Sequence, residues 1–343
     1  MTWLTWRQFR TPIALVGALV AALAVALVVT RPALVDLFRS TGMDTCGSNC
    51  ANQAKDFLLR SESLAAAPLF LAGAAMVYLI PAIIGIFWGA PMIARELESG
   101  TYRLAWSQSI TRTRWLTVKL LAGAAAAMLA AGLLSLVVTW FSSPFDTARA
   151  NRLIPELFGA RGIVPIAYAG LAFALGVLIG TVLRRTVPAM ALTLLLVVGI
   201  QVLMPTLVRG HLITPMHDSA AITAQPGGGG EDFFEEFLMS DDGSMTVVPK
   251  LDKPGAWVMS NRAVTADGST FRGPYDPNSC GREAGGGPKK CEEWVLSQNL
   301  HHDAVYQPAS RFWPLQWIES GLILAVTALL GLLTFWWVRR RLS

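Results

Sequence analysis

The chain has 343 residues, 53% of them hydrophobic and only 15% charged, with a formal net charge of +5. So small a charged share excludes an ordinary soluble domain, and several apolar runs are long enough to cross a bilayer. The positive balance is not a nucleic-acid footprint, because it divides unevenly between segments on the two sides of a membrane.

In chain order, Trp3, Trp6 and Phe9 recur at a spacing of three, with Arg7 and Arg10 on a neighbouring face. Residues 1–12 therefore predict an amphipathic helix lying in the membrane interface. Ile13 to Val29 carries no charge and is read as span one; it is too long for a signal-peptide core and no clean cleavage site follows. Thr30 to Ala67 is polar and holds Cys46 and Cys50. Span two is expected from about Pro68 to Ala94. Pro81 lies inside it, and Gly85 and Gly89 form a small-xxx-small pair suited to close helix packing.

Arg95 to Lys119 connects spans two and three and is the stretch around which the chain is organised. Its basic residues are Arg95, Arg103, Arg112, Arg114 and Lys119, and its acids are Glu96 and Glu98. The positive-inside bias places this loop in the cytoplasm. Gly100 is suited to end the arriving helix, and Ser99 and Thr101 to cap a short new one. Thr111 and Thr113 are suited to cap the next span. Tyr102, Leu104 and Trp106 put apolar bulk on a wet loop, the pattern of a docking surface, while Trp115 equally fits an interfacial anchor.

Span three follows at about Leu116 to Trp140. Phe141 to Gly162 reads as a polar outer loop in which Leu153, Ile154, Leu157 and Phe158 form a short surface helix. Span four, about Ile163 to Leu183, carries Gly176 and Gly180, a second packing pair. Arg184, Arg185 and Thr186 make a minimal turn into span five, about Val187 to Val208, where Pro188 suits the first helical turn. A long polar insertion, residues 209–313, comes next. It contains the flexible run Gly227 to Gly230, strand-like runs in Trp257 to Ser269 with an Asp267-Gly268 turn, and a helical stretch from Glu292 to Asn299. Span six, about Pro314 to Val338, is flanked by Trp313, Trp317, Trp336 and Trp337 as aromatic belts, and Arg339, Arg340 and Arg341 follow it. The expected fold is all-α integral membrane: six spans, an N-terminal interfacial helix and a long extracellular insertion between helices five and six.

Charge supports that topology. Segments 1–12, 95–119, 184–187 and 339–343 hold twelve basic and two acidic residues, a net of +10, against −5 for the rest of the chain. Both termini are thus expected in the cytoplasm. Cys46, Cys50, Cys280 and Cys291 all fall on the outer side, as disulfides in an oxidising compartment would. Pairing each with its nearest partner gives Cys46–Cys50 and Cys280–Cys291. Metal ligation with His211, His217, His301 and His302 is the alternative, though no compact ligand spacing links them.

Catalytic motifs are missing from the sequence. Gly285-Gly286-Gly287-Pro288-Lys289-Lys290 lacks the spacing of a phosphate-binding P-loop. Gly-x-Ser-x-Gly and His-Glu-x-x-His do not occur, and His301-His302-Asp303 reads as a solvated surface group. Within the spans, Gln201 and Glu319 are candidates for a transport path, because an intramembrane acid is costly to bury. Glu319 reads equally as a shallow group paired with a cation such as Arg311.

Two stretches resemble a known family. Ile93-Ala94-Arg95-Glu96-Leu97-Glu98-Ser99-Gly100-Thr101 and Thr113-Arg114-Trp115-Leu116-Thr117-Val118-Lys119 look like the first cytoplasmic loop of ABC-2-type permeases. Tyr306 to Glu319 is similar to permeases of that type from actinobacteria. The resemblance implies a bacterial plasma-membrane exporter subunit with no cofactor of its own. ATP and Mg would sit on a separate cytosolic ABC ATPase, two copies per complex, docked on Glu96, Glu98, Gly100, Thr101, Tyr102, Arg103, Leu104 and Trp106. A second permease chain, identical or homologous, would complete the assembly, with membrane lipid around it and no nucleic acid. The few charges in the spans fit an amphiphilic cargo such as a drug, antibiotic, lipid or peptide. The alternatives are a membrane sensor or immunity component binding an extracellular peptide or antibiotic, and an integral membrane enzyme such as a lipid transferase. The latter would need clustered polar groups at one depth.

Overall fold

The computed structural model describes residues 2–47, 50–100, 111–149, 151–222, 234–239, 244–251, 253–274, 276–280 and 287–341. Six helices among these are long and apolar enough to cross a membrane: Val16–Ser40, Ala66–Glu98, Thr113–Phe141, Val164–Leu183, Thr186–His211 and Ala309–Arg341. The chain divides into a helical unit, Met1–Leu212 with Phe312–Ser343, and an inserted unit, Ile213–Arg311.

In the helical unit the elements are α1 (Thr2–Ser40), α2 (Ala51–Glu62), α3 (Ala66–Ile84), α4 (Ala90–Glu98), α5 (Arg112–Phe141), α6 (Ser143–Arg149), α7 (Pro155–Phe158), α8 (Val164–Leu183), α9 (Thr186–Leu203) and α12 (Phe312–Arg341). α8 is the hub. It packs on α3, α4, α5, α9 and α12, and most of it is buried, whereas most of the first span is not. The glycine pairs explain the closest of these contacts. A Cβ at Gly89 would lie 2.6 Å from the Phe173 carbonyl oxygen, and one at Gly176 would lie 2.6 Å from that of Gly85. Small residues thus let the second and fourth spans meet backbone to backbone, as the spacing predicts. Gly85–Gly89 is also a π-turn that joins α3 to α4 as one span.

Three expectations are corrected. The first helix does not stop near Val29 but continues to Ser40, in one piece with the backbone of Trp3, Trp6 and Phe9. Leu34 on that extension is fully buried, and Phe38 stacks edge-on against Phe57 of α2 at 5.5 Å, so packing prolongs a helix that composition alone would end. The stretch around α7 does not lie on the surface. Leu153, Leu157 and Phe158 are buried, and Arg161 forms a buried ion pair with Asp146. Lastly, Arg209 is not the first residue of the polar insertion. It belongs to the end of the fifth span and is only 2% exposed.

The inserted unit contains two antiparallel three-stranded sheets. In one, β6 (His301–Gln307) lies between β1 (Met216–Ala221) and β4 (Trp257–Val264). In the other, β3 (Ser244–Pro249) lies between β2 (Phe234–Met239) and the short β5 (Gly273–Pro274). β4 and the turn at Gly268, with φ +83°, fall where strand and turn signals predict them. α10 (Pro277–Cys280) and α11 (Gly287–Ser297) are linked by the Cys280–Cys291 disulfide. Cys46–Cys50 is the other bond, so all four cysteines are paired as nearest neighbours.

Candidate functional site

Two polar joints hold the helical unit, one towards each end of α8. The first flanks the connector between the second and third spans. Glu96, near the end of α4, pairs with Lys119 of α5, whose side chain is 4% exposed. A lysine buried this far needs its counter-ion, so the pair pins the two arms of the connector together. Two residues on, the Glu98 carboxylate accepts hydrogen bonds from the Thr186 backbone N–H at 3.1 Å and from its hydroxyl at 2.7 Å. Arg185, at the N-cap position of α9, supplies no capping side chain. Glu98 therefore caps the fifth span from a different helix, where a carboxylate also suits the helix dipole. Gly100, at φ +72°, turns the chain out of α4, and Thr111 caps α5 by accepting from the Arg114 N–H. Thr101, Tyr102, Arg103, Leu104 and Trp106 lie outside the described residues.

The second joint is built around Glu319, which is fully buried. Its carboxylate receives Arg209 Nε at 2.8 Å and Arg209 Nη2 at 3.0 Å, and the Tyr168 hydroxyl at 3.1 Å. Arg209 Nη1 continues to the Pro155 carbonyl at 3.1 Å, and the guanidinium lies 4.6 Å from the Phe158 ring centre. The partner of Glu319 is thus Arg209 rather than Arg311, which instead donates to Thr214 and Gln307 in the inserted unit. One turn away on α12, Gln316 accepts from the Ile163 and Val164 N–H groups at 3.0 and 3.1 Å and donates to the Phe158 carbonyl at 3.1 Å. It satisfies the open N-terminus of α8, which has no side-chain cap from its own N-cap residue.

A local irregularity aims Arg209 inward. Ala189, Thr193, Val197 and Met204 occupy the buried face of the fifth span. A π-turn covers Met204–Val208. Its extra residue leaves Val208 exposed and brings Arg209 to the inner face, a common use of π-turns at functional sites. Gln201, half-buried on the same span, donates to the Tyr78 carbonyl at 2.9 Å. Val77, Tyr78, Pro81, Gly159, Pro165, Tyr168, Gln201 and Arg209 line a small cavity here.

Residues 17–209 match the family described as ABC-2 membrane transporter related. The chain belongs to this family. No curated protein and no solved structure matches it. In this ABC-2-related chain the match spans the first joint and stops at Arg209, so the sixth span and the inserted unit lie beyond it. Among the described residues no group of three or more His, Cys, Asp or Glu gathers as a metal site would.

Sequence reasoning singled out Glu96, Glu98, Glu319 and Gln201 but missed Arg209, Tyr168 and Gln316. One signal was available: Gln316 and Glu319 are three apart and therefore share a helix face. Arg209 directly abuts an apolar run, and its role shows only once the fifth and sixth spans are both packed on α8.

Proposed function

We propose that this chain is the permease subunit of an ATP-driven exporter, working with a separate cytosolic ABC ATPase present in two copies. A second permease chain completes the complex, and the cargo is amphiphilic. The observation that carries this reading is the first joint. Residues 101–110 connect Gly100 to Thr111, and the ends of that connector are tied to three spans, through Glu96–Lys119 and Glu98–Thr186. A force applied to the connector would be delivered to the second, third and fifth spans together. ATP-driven closure of the motor supplies the difference in contact free energy that any two-state shift requires. On this reading both termini are cytoplasmic, the membrane is a bacterial plasma membrane, and the actinobacterial likeness of Tyr306 to Glu319 narrows the subtype.

The test is affinity purification from the native host with ATPase activity measured on the eluate. Wild type should retain an ABC ATPase, and Leu104→Asp and Trp106→Ala should lose it. Unchanged recovery and turnover in both variants would reject the assignment. A sensor reading has one observation in its favour, the inserted unit with its own two sheets and disulfide. Ligand binding to the chain without any co-purifying ATPase would favour that alternative.

A further inference from the structure

We infer that Arg209, Glu319 and Tyr168 form a closure over the cavity bounded by Val77, Pro81 and Gln201, and that this closure must open for cargo to leave. The exit role rests on the permease reading; the closure itself does not.

Three observations lead here. First, the joint gathers separate stretches of chain at one end of the bundle. Arg209 comes from the fifth span, Glu319 from the sixth, Tyr168 from the fourth, and Pro155 and Phe158 from the buried segment before it. Second, stability is a poor reason for such a pair. Desolvating both charges largely offsets their attraction, and apolar residues of similar volume would hold helices together as well. A pair that is costly to bury and confined to one end is better suited to a contact that is made and broken, and ionisable groups inside a membrane usually mark a path. Third, the fold uses a π-turn to bring Arg209 to this position, and two of the three members, Tyr168 and Arg209, border a small cavity. Tyr168 and Arg209 line that cavity, so separating Arg209 from Glu319 would unroof it.

The paired native cysteines make a direct test practical, because an introduced thiol is the sole reactive one. Val77 lines the cavity and is 2% exposed. Full-length Val77→Cys protein, purified in lipid nanodiscs, is treated with a water-soluble maleimide. A parallel reporter, Ala189→Cys, sits buried near the other end of the bundle. Labelling at position 77 should be slow in the otherwise native chain. It should rise about tenfold or more when Glu319→Gln or Arg209→Met shifts the population towards the open state. Labelling at position 189 should stay slow. Should either variant fail to fold, Tyr168→Phe removes one hydrogen bond and should give a smaller rise at position 77 alone. Fast labelling at position 77 in the native background, no rise in the folded variants, or equal rises at both reporters would each overturn the closure. None of these outcomes depends on an ATPase, so failure of the exporter assignment would be seen separately.

Discussion

Gly180 lies so close to Ala90 that a Cβ built on it would collide with the Ala90 carbonyl oxygen. The obstacle is backbone, which cannot swing aside as a side chain would. Gly180→Val is expected to cost about 1–3 kcal/mol or more, the usual range for overpacking, or to prevent folding. Gly199→Ala and Gly321→Ala, where nothing lies within 4 Å, should be nearly neutral. Thermal unfolding in detergent, followed by size-exclusion fluorescence, ranks the three.

Replacing Glu98 with Ala removes the acceptor that serves the Thr186 N–H and hydroxyl. Loss of a cap costs about 1 kcal/mol. Amide exchange should speed up over Thr186 to Ala189 while the middle of α9 stays protected. Exchange unchanged across that turn would show that Glu98 does not hold the fifth span.

Gln316→Leu would leave the Ile163 and Val164 N–H groups without their present partner and take one of two donors from the Phe158 carbonyl. Stranding buried polar groups costs about 1–3 kcal/mol each, so this exchange should destabilise the protein far more than Gly199→Ala does. Gly162→Ala should fail similarly. Its φ is +65°, and the new methyl would lie 2.7 Å from Gln316 Oε1. Melting temperatures of the two variants check both statements.

Reduction should act unequally on the two disulfides. Cys280–Cys291 closes a separation of 11 residues and Cys46–Cys50 one of 4. Longer loops gain more from closure, about 3 kcal/mol for a fifteen-residue loop. Cys280→Ser with Cys291→Ser should therefore expose the inserted unit to proteolysis near residues 277–297, whereas Cys46→Ser with Cys50→Ser should leave its cleavage pattern unchanged.

Asp218 is held below the usual carboxylate range, chiefly by its hydrogen bond from Lys253, with His302 contributing. Because the folded group ionises more readily, its stabilising contribution is complete above the ordinary value of about 3.9 and is lost as pH falls through the lowered one. Native-state proteolysis of the inserted unit should accelerate below about pH 4. The acceleration should be less marked in Asp218→Asn, and it should be small, because the pair is exposed.

Six spans, their order, both glycine pairs and both disulfides were legible because each rests on a local or compositional signal. Those signals are run length, a four-residue period and nearest-neighbour spacing. Glu98 was legible as a residue of interest but not as a cap, since Thr186 is remote in sequence. The segment around Leu157 was misjudged because a short run among polar residues carries no sign of what will cover it. The same holds for Thr30 to Ser40, which stays helical because Leu34 and Phe38 find partners on other elements.

By itself the amino-acid sequence determined six stretches long and apolar enough to cross a membrane and the connector that joins the second to the third, because hydrophobic run length is read residue by residue. Only the tertiary structure decided which polar groups meet. Arg209 with Glu319, and Glu98 with Thr186, join residues from different spans. Such pairings depend on helix adjacency and rotation, and a single π-turn shifts that rotation enough to move a charge from one face of a helix to the other.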